Sequence, residues 1–412
     1  MPAEQIARVV IALAAAVGLA LVAAHPAVRR FEQRFGLSVL AASGFPLLIL
    51  GYAFRNFGVV TEQTLADLRP AYEFGLGWIG LVVGMQLNVR RLDELPHSFT
   101  TTLALLTLPA TVLVGLSSGL LLAIFGLTHG TGLLRDVLIL SACAAVSAPA
   151  NLRLLLRNAP SRSTQIVSAV TQIDQVAAFA ILALVASMFR PQATVLWRLP
   201  RSGWFIVTAG VGFLLGVVIY LLLRNVRNRT EEVSLLIGGI ALAAGTAGYL
   251  ALSVPVVCAL AGAVLANVPY RHKARLEATL GDFERPMYLL FLFLVGTTWR
   301  PLEWQGWALG VLFAVTRGYG KLVGARAAVR VAPADLPSAR NLTLAVLPES
   351  AVAIVVIFSL ATLDPEPVPG IAWGINAVII GSVLTEVFVQ AMQRREARAV
   401  GEETGRAVTH FV

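Results

Sequence analysis

The sequence predicts an all-α, polytopic membrane protein of about thirteen transmembrane helices, two of them interrupted by proline. Three observations lead there. Of 412 residues, 57% are hydrophobic and only 13% charged, about half the charge fraction of an ordinary soluble domain. Apolar runs of roughly 18 or more residues, enough for a helix to cross the hydrocarbon core, recur from end to end. Two of the runs hold a proline among polar residues, Ser147-Ala148-Pro149-Ala150-Asn151 and Leu347-Pro348-Glu349-Ser350.

In chain order the expected spans lie near 6–24, 37–54, 72–88, 98–126, 134–152, 164–188, 203–223, 233–251, 253–268, 287–299, 304–329, 341–362 and 371–392. The first reads as a retained span. Its basic flank is Arg8 alone, and no small-residue cleavage site leads into more soluble sequence. The connections at Gly248–Val254 and Thr298–Glu303 are the shortest.

Loop charge tests this count independently. Alternate connections hold Arg29, Arg30, Arg34; Arg90, Arg91; Arg153, Arg157, Arg162; Arg224, Arg227, Arg229; Arg271, Lys273, Arg275, Arg285; Arg326, Arg330, Arg340; and Arg394, Arg395, Arg398, which is 21 cations. The opposite connections hold Arg55, Arg69, Arg135, Arg190, Arg198, Arg201 and Arg300, which is 7. A miscount in mid-chain would scramble that parity. The expectation is therefore an integral protein of the plasma (inner) membrane, with the N-terminus outside and the C-terminus cytoplasmic. The net charge of +9 is accounted for by these loops. No basic helix interleaved with aromatics points to nucleic acid. Cys143 and Cys258 fall in apolar runs and read as buried free thiols.

The prolines at 149 and 348 each remove a backbone donor and clash with the preceding turn, so both spans are expected to break there. Unwound backbone at membrane depth persists only when buried in protein or lining a watery cavity. Interrupted spans at corresponding places in two halves point to a secondary-transporter site. The halves also share a pattern: Leu76 to Gly84 runs into Arg90-Arg91, and Leu290 to Gly296 runs into Arg300. Two ordinary proline kinks would give the same sequence, and the surrounding polar groups argue against that.

Asp174 lies in mid-span six, within Val170-Thr171-Gln172-Ile173-Asp174-Gln175-Val176. A carboxylate at the centre of a membrane helix costs about 2.5–3.5 kcal/mol on insertion scales, so it marks a candidate site. Asp174, Gln175, Gln172, Thr171, Ser147 and Asn151 are the candidate ligands for an ion or proton, with Asp174 the transient ligand of a transported cation. Lys321, Glu349 and Arg153 are candidates for charge compensation. Lys321 either pairs with Asp174 or offsets helix dipoles at the breaks. Glu349 is expected to pair with Arg153 in preference to binding an ion. Arg317, one turn before Lys321, is expected to snorkel to the interface. Glu386 reads as a solvated acid, and His97, His129 and His272 as loop histidines.

These segments resemble the monovalent cation:proton antiporter family, of sodium/hydrogen exchanger fold, over nearly the whole chain. The resemblance rests on Gly75–Leu92, Gln172–Leu184, Ser253–Ala266, Met287–Gly296, Gly318–Arg326 and Leu342–Ile357, in order and spacing. It implies inverted repeats in which the broken spans five and twelve cross near the membrane centre. It also implies a homodimer in which a core carrying the acid of span six moves like an elevator against a scaffold. Mapped onto this chain, the scaffold is 1–97 and 233–303, the core 98–189 and 304–393, the linker 190–232 and the tail 394–412. The chain departs from the family where relatives carry an acidic pair, since Asp174 stands between Ile173 and Gln175.

The implied function is exchange of Na+ or K+ for protons across the lipid bilayer, with no cofactor and no nucleic-acid partner. The alternative on the same fold is an organic anion transporter coupled to protons or sodium. An enzyme is disfavoured: no His-Glu-x-x-His motif occurs, and the glycine-aspartate context of intramembrane aspartyl proteolysis is absent. A channel would need a filter-like loop. About twenty residues follow the last span, so no appended nucleotide-binding domain is expected.

Overall fold

A computed structural model of the chain describes residues 18, 44–58, 60–89, 98–126, 130–148, 161–190, 199–224, 226, 228–270, 273–301, 303–332, 336–363 and 369–409. Fourteen helices and no strand occur among them. They are α1 (Phe45–Asn56), α2 (Glu62–Asp67), α3 (Arg69–Met85), α4 (Ser98–Ile124), α5 (Thr131–Ala145), α6 (Ser161–Met188) and α7 (Arg201–Leu223). Next come α8 (Arg229–Tyr249), α9 (Val254–Asn267), α10 (Lys273–Thr298) and α11 (Trp304–Val331). The last three are α12 (Ala339–Val346), α13 (Ala351–Leu363) and α14 (Pro369–Thr409). The protein is all-helical and multi-pass. The helices α4, α6, α7, α8 and α14 each hold a stretch long and apolar enough to cross a bilayer, and α12 with α13 form a further apolar pair bent by 42°. Apart from Gly18, the first expected span lies outside the described residues, as do 37–43 of the second.

Packing sorts the helices into two groups. In one, α3 packs along α9, α1 along α10, and α7 and α8 close around α9. In the other, α11 lies between α4 and α14, while α5 packs on α4, α6 and α13. The groups meet where α6 touches α3, α7 and α9, and where α13 touches α3 and α9.

Small residues allow the closest of these approaches, as in membrane helix pairs generally. On α11, a side chain at Gly320 or Gly324 would run into the backbone of α4 at Ala110 and Leu105. Pro109 lies inside α4 and cannot bond the carbonyl of Leu105 four residues earlier. The glycine face of α11 lies against that turn.

The helix boundaries follow the apolar runs with two large differences, one of which is that α14, expected to end near residue 392, continues to Thr409. The tenth span, expected from residue 287, begins as α10 at Lys273. The apolar pattern stops at the charges between Lys273 and Arg285, but Ala, Leu, Glu, Lys and Arg all favour helix, so the helix extends beyond its hydrophobic part. Arg135, counted above as a loop cation, instead lies in α5, 8% exposed and 2.9 Å from Asp136. Cys143 and Cys258 are both free and buried.

Candidate functional site

The site begins with the face of α6. Thr171, Asp174, Gln175 and Ala178, at helical spacing, are all buried. That face meets the chain just after the end of α5, at Ser147. The helix α5 stops at Ala145 and Val146 is extended; the residue before a proline disfavours helix, and Pro149 closes this stretch in the sequence. The helix α12 stops at Val346, with Leu347, Pro348, Glu349 and Ser350 between it and α13. The two stretches touch directly: the Ala148 amide donates to the Pro348 carbonyl at 2.8 Å.

Asp174 is fully buried at this junction. The Thr107 hydroxyl, from α4, donates to Oδ1 at 2.5 Å, and the Ser147 hydroxyl lies 3.3 Å from Oδ2. Lys321 Nζ, from α11, is 3.6 Å from the same Oδ2, with both side chains sealed from solvent. Gln175 donates to the Ser147 carbonyl at 3.4 Å. Three elements thus converge on the one carboxylate that α6 presents.

Lys321 fills both roles left open for it. Besides facing Asp174, its ammonium donates to the Ala145 carbonyl at 2.8 Å and to Ser147 Oγ at 2.9 Å. Arg317 departs from expectation altogether. It does not snorkel; it is fully buried. Its guanidinium donates to the carbonyls of Val146 at 2.6 Å, Leu347 at 2.5 Å and Ala144 at 3.3 Å. The last carbonyls of a helix have no partner within it, and the negative end of its dipole favours a cation. Arg317 meets that need at the ends of both α5 and α12, one turn from Lys321.

The other candidates divide. Glu349 accepts from the Ser382 hydroxyl at 2.7 Å, so its partner among the described residues is on α14. Arg153, its expected partner, lies outside the described residues, as do Pro149 and Asn151. Thr171 is buried but its hydroxyl bonds the Ser168 carbonyl at 2.9 Å, within its own helix. Gln172 is half-buried, outside the hydrogen-bond shell of Asp174. Pro348 lies in the four-residue stretch between α12 and α13. Glu386 accepts from Gln390 at 2.7 Å. Sequence reasoning missed Thr107 and the role of Arg317. The one local sign of Thr107 is a hydroxyl two residues before Pro109 in a midspan helix.

A cavity of about 780 Å³ opens between the two helix groups and reaches this junction. Ala148, Gln175, Pro348 and Glu349 line its inner end, and Gln86, Gly281 and Gln390 line it towards the far ends of α3, α10 and α14. Its lining carries three carboxylates, Glu284, Glu349 and Glu386, against the single guanidinium of Arg285. At the opposite end of α6 the groups are tied together. The Ser253 and Ser359 hydroxyls bond each other at 3.0 Å, and Arg190 stacks 3.7 Å over Trp204 while donating to the Leu250 carbonyl at 2.6 Å.

Carboxylate and hydroxyl oxygens are the ligands hard cations prefer, and the same carboxylate can hold a proton. Fold and site together define a multi-pass helical membrane protein with an acid–lysine pair enclosed where α5 and α12 end. Residues 33–393 match the family model described as sodium/hydrogen exchanger, transmembrane, and the chain belongs to that family, one of transporters and not of enzymes. Among solved structures, the fold is similar to that of the sodium proton antiporter MjNhaP1 from Methanocaldococcus jannaschii at pH 8. The TM-score is 0.64 at 14% identity, covering 93% of this chain and 96% of the other. No curated protein sequence matches the chain.

Proposed function

We propose that the protein exchanges a monovalent cation, Na+ or K+, for protons, with Asp174 as the group on which the two compete. The observation that carries this reading is the buried contact of Asp174 with Lys321, 3.6 Å apart, beside the ends of α5 and α12 and behind Gln175 and Ala148, which line the inner end of a cavity. A cation entering the cavity meets Asp174, Ser147 and Thr107 as oxygen ligands, and a proton on the carboxylate excludes it. Lys321 balances the acid while the site holds neither. Family membership supports antiport, and the acidic cavity lining favours a cation over the organic anion alternative.

The topology that fits is thirteen spans as inverted repeats, with spans five and twelve broken and crossing, the N-terminus outside and the C-terminus in the cytoplasm. The cavity then faces the cytoplasm of a plasma-membrane homodimer. Residues 98–189 and 304–393 form the moving core and 1–97 and 233–303 the scaffold, joined through 190–232 and followed by a tail at 394–412. The separate packing of α4–α6 with α11–α14, and of α1, α3 and α8–α10, supports this division.

The test is proton flux in proteoliposomes across a series of Na+, K+ and other cations, repeated with Asp174→Asn. The expected outcome is cation-dependent flux in the natural protein, with a KM for cation that rises as the pH falls, and background flux in D174N. Undiminished exchange in D174N would remove Asp174 from the mechanism. Flux driven by organic anions alone would favour the alternative.

A further inference from the structure

We propose that a groove on the lipid-facing side of α11, α12 and α14 is a binding site for one anionic phospholipid, with Arg326 and Arg340 holding the phosphate. The groove encloses about 760 Å³. Its α11 wall runs through Val311, Val315, Tyr319 and Leu322 to Arg326, positions that share one helix face. At 1.5 Å per residue that wall is about 22 Å long, a match to one acyl chain and its headgroup, since half the hydrocarbon core is about 15 Å.

The walls are apolar and open. Val315, Tyr319 and Phe388 are each more than half exposed in helices that read as membrane-spanning. The charge is gathered at one end. Arg326 and Arg340 are the charged residues of the lining, and both lie on the surface. They belong to the connection that the loop charges assign to the cytoplasmic side, where anionic lipid is found. The groove also lies where helix packing is thin. Leu344, Leu347 and Val389 form a small apolar cluster of their own between α12 and α14, separate from the main core.

This position gives the lipid a consequence. Leu347 lines the groove, and its carbonyl takes Arg317 Nη1 on the other side. A lipid seated there braces the break between α12 and α13 against α11. Two arginines beside an anionic headgroup favour it over a zwitterionic one by roughly 30-fold.

Thermal unfolding of delipidated protein in neutral detergent tests this, with phosphatidylglycerol or phosphatidylcholine added at equal load. Phosphatidylglycerol is expected to raise the midpoint by several degrees more than phosphatidylcholine. The R326Q/R340Q double variant should lose that difference. A β-carbon at Gly318 would meet Leu347 Cδ1 at 3.8 Å, an ordinary contact, so Gly318→Phe fills the groove with both arginines intact and should reduce the gain from either lipid. Glycerol phosphate without chains should change nothing. If the double variant fails to fold, raising the salt on the natural protein reads the same contact, and the preference must shrink. Equal gains from both lipids, an undiminished or salt-insensitive preference, or a full gain from glycerol phosphate would overturn the proposal. So would loss of dimer in G318F with the phosphatidylglycerol gain intact, which would make the groove an interface between copies.

Discussion

Arg317 spends its charge on backbone carbonyls and not on an acid. Its three acceptors end two different helices, so one planar side chain fixes the spacing of α5 and α12 beneath the site. Lysine carries the same charge but lacks the rigid fork that reaches several acceptors at once. Arg317→Lys is therefore expected to leave one or two buried carbonyls unpaired, at about 1–3 kcal/mol each. Thermal unfolding in detergent should show a loss of about 2–4 kcal/mol, with reduced exchange. A variant as stable as the natural protein would mean that the carbonyls find other partners. Asp174 and Lys321 were legible in the sequence because a charge in a long apolar run stands out at once. Arg317 was visible too, yet its partners lie 30, 171 and 173 residues away, and only the crossing of the chain reveals that it has no need to reach water. Thr107 was hidden for a different reason: a threonine in a membrane helix costs little, and its place two residues before Pro109 does not say that it faces a carboxylate.

At the scale of elements, α11 is the rod on which the site is mounted. It carries both cations on one face, and Gly320 and Gly324 on the face against α4. That arrangement sets the depth of Lys321 relative to Thr107, because α4 supplies the threonine. Gly320→Val would force α11 away from Ala110 and Pro109, at about 1–3 kcal/mol for overpacking. The expected outcome is a lower unfolding midpoint and a higher KM for cation, measured as cation-dependent proton flux. A normal KM in a destabilised protein would show that the site tolerates the displacement. The bend between α12 and α13 was readable because proline announces itself, whereas the helix α5 ends at Ala145 and Pro149 lies outside the described residues. The start of α10 was not readable, because hydropathy reports where lipid ends, while the helix continues through a charged stretch of good helix formers. The glycines of α11 were equally plain in the sequence, but which helix they admit is a property of packing.

For the whole molecule, the two helix groups are interleaved along the chain, and their contacts are uneven from one end to the other. A cavity parts them near Gln86, Gly281 and Gln390, while Ser253–Ser359, Arg190–Leu250 and the ring of Phe358 against Tyr72 and Phe291 hold them at the opposite end. Under the proposed exchange mechanism, this asymmetry is what one side of an alternating-access cycle would show, with the side tied by a few local contacts opening as the cavity closes. Pattern reading located the helices but not this asymmetry, since each tie joins residues whose types are unremarkable alone. The serine pair offers a direct test. Hydroxyls 3.0 Å apart leave little to rearrange for a disulfide. In a background with Cys143 and Cys258 changed to serine, Ser253→Cys with Ser359→Cys should cross-link α9 to α13 on oxidation. If the groups move against each other during exchange, proton flux in the oxidised protein falls to that of empty liposomes and returns on reduction. Full flux through a quantitatively cross-linked protein would mean that cation and proton pass without that end ever opening, and the moving-core reading would have to be abandoned.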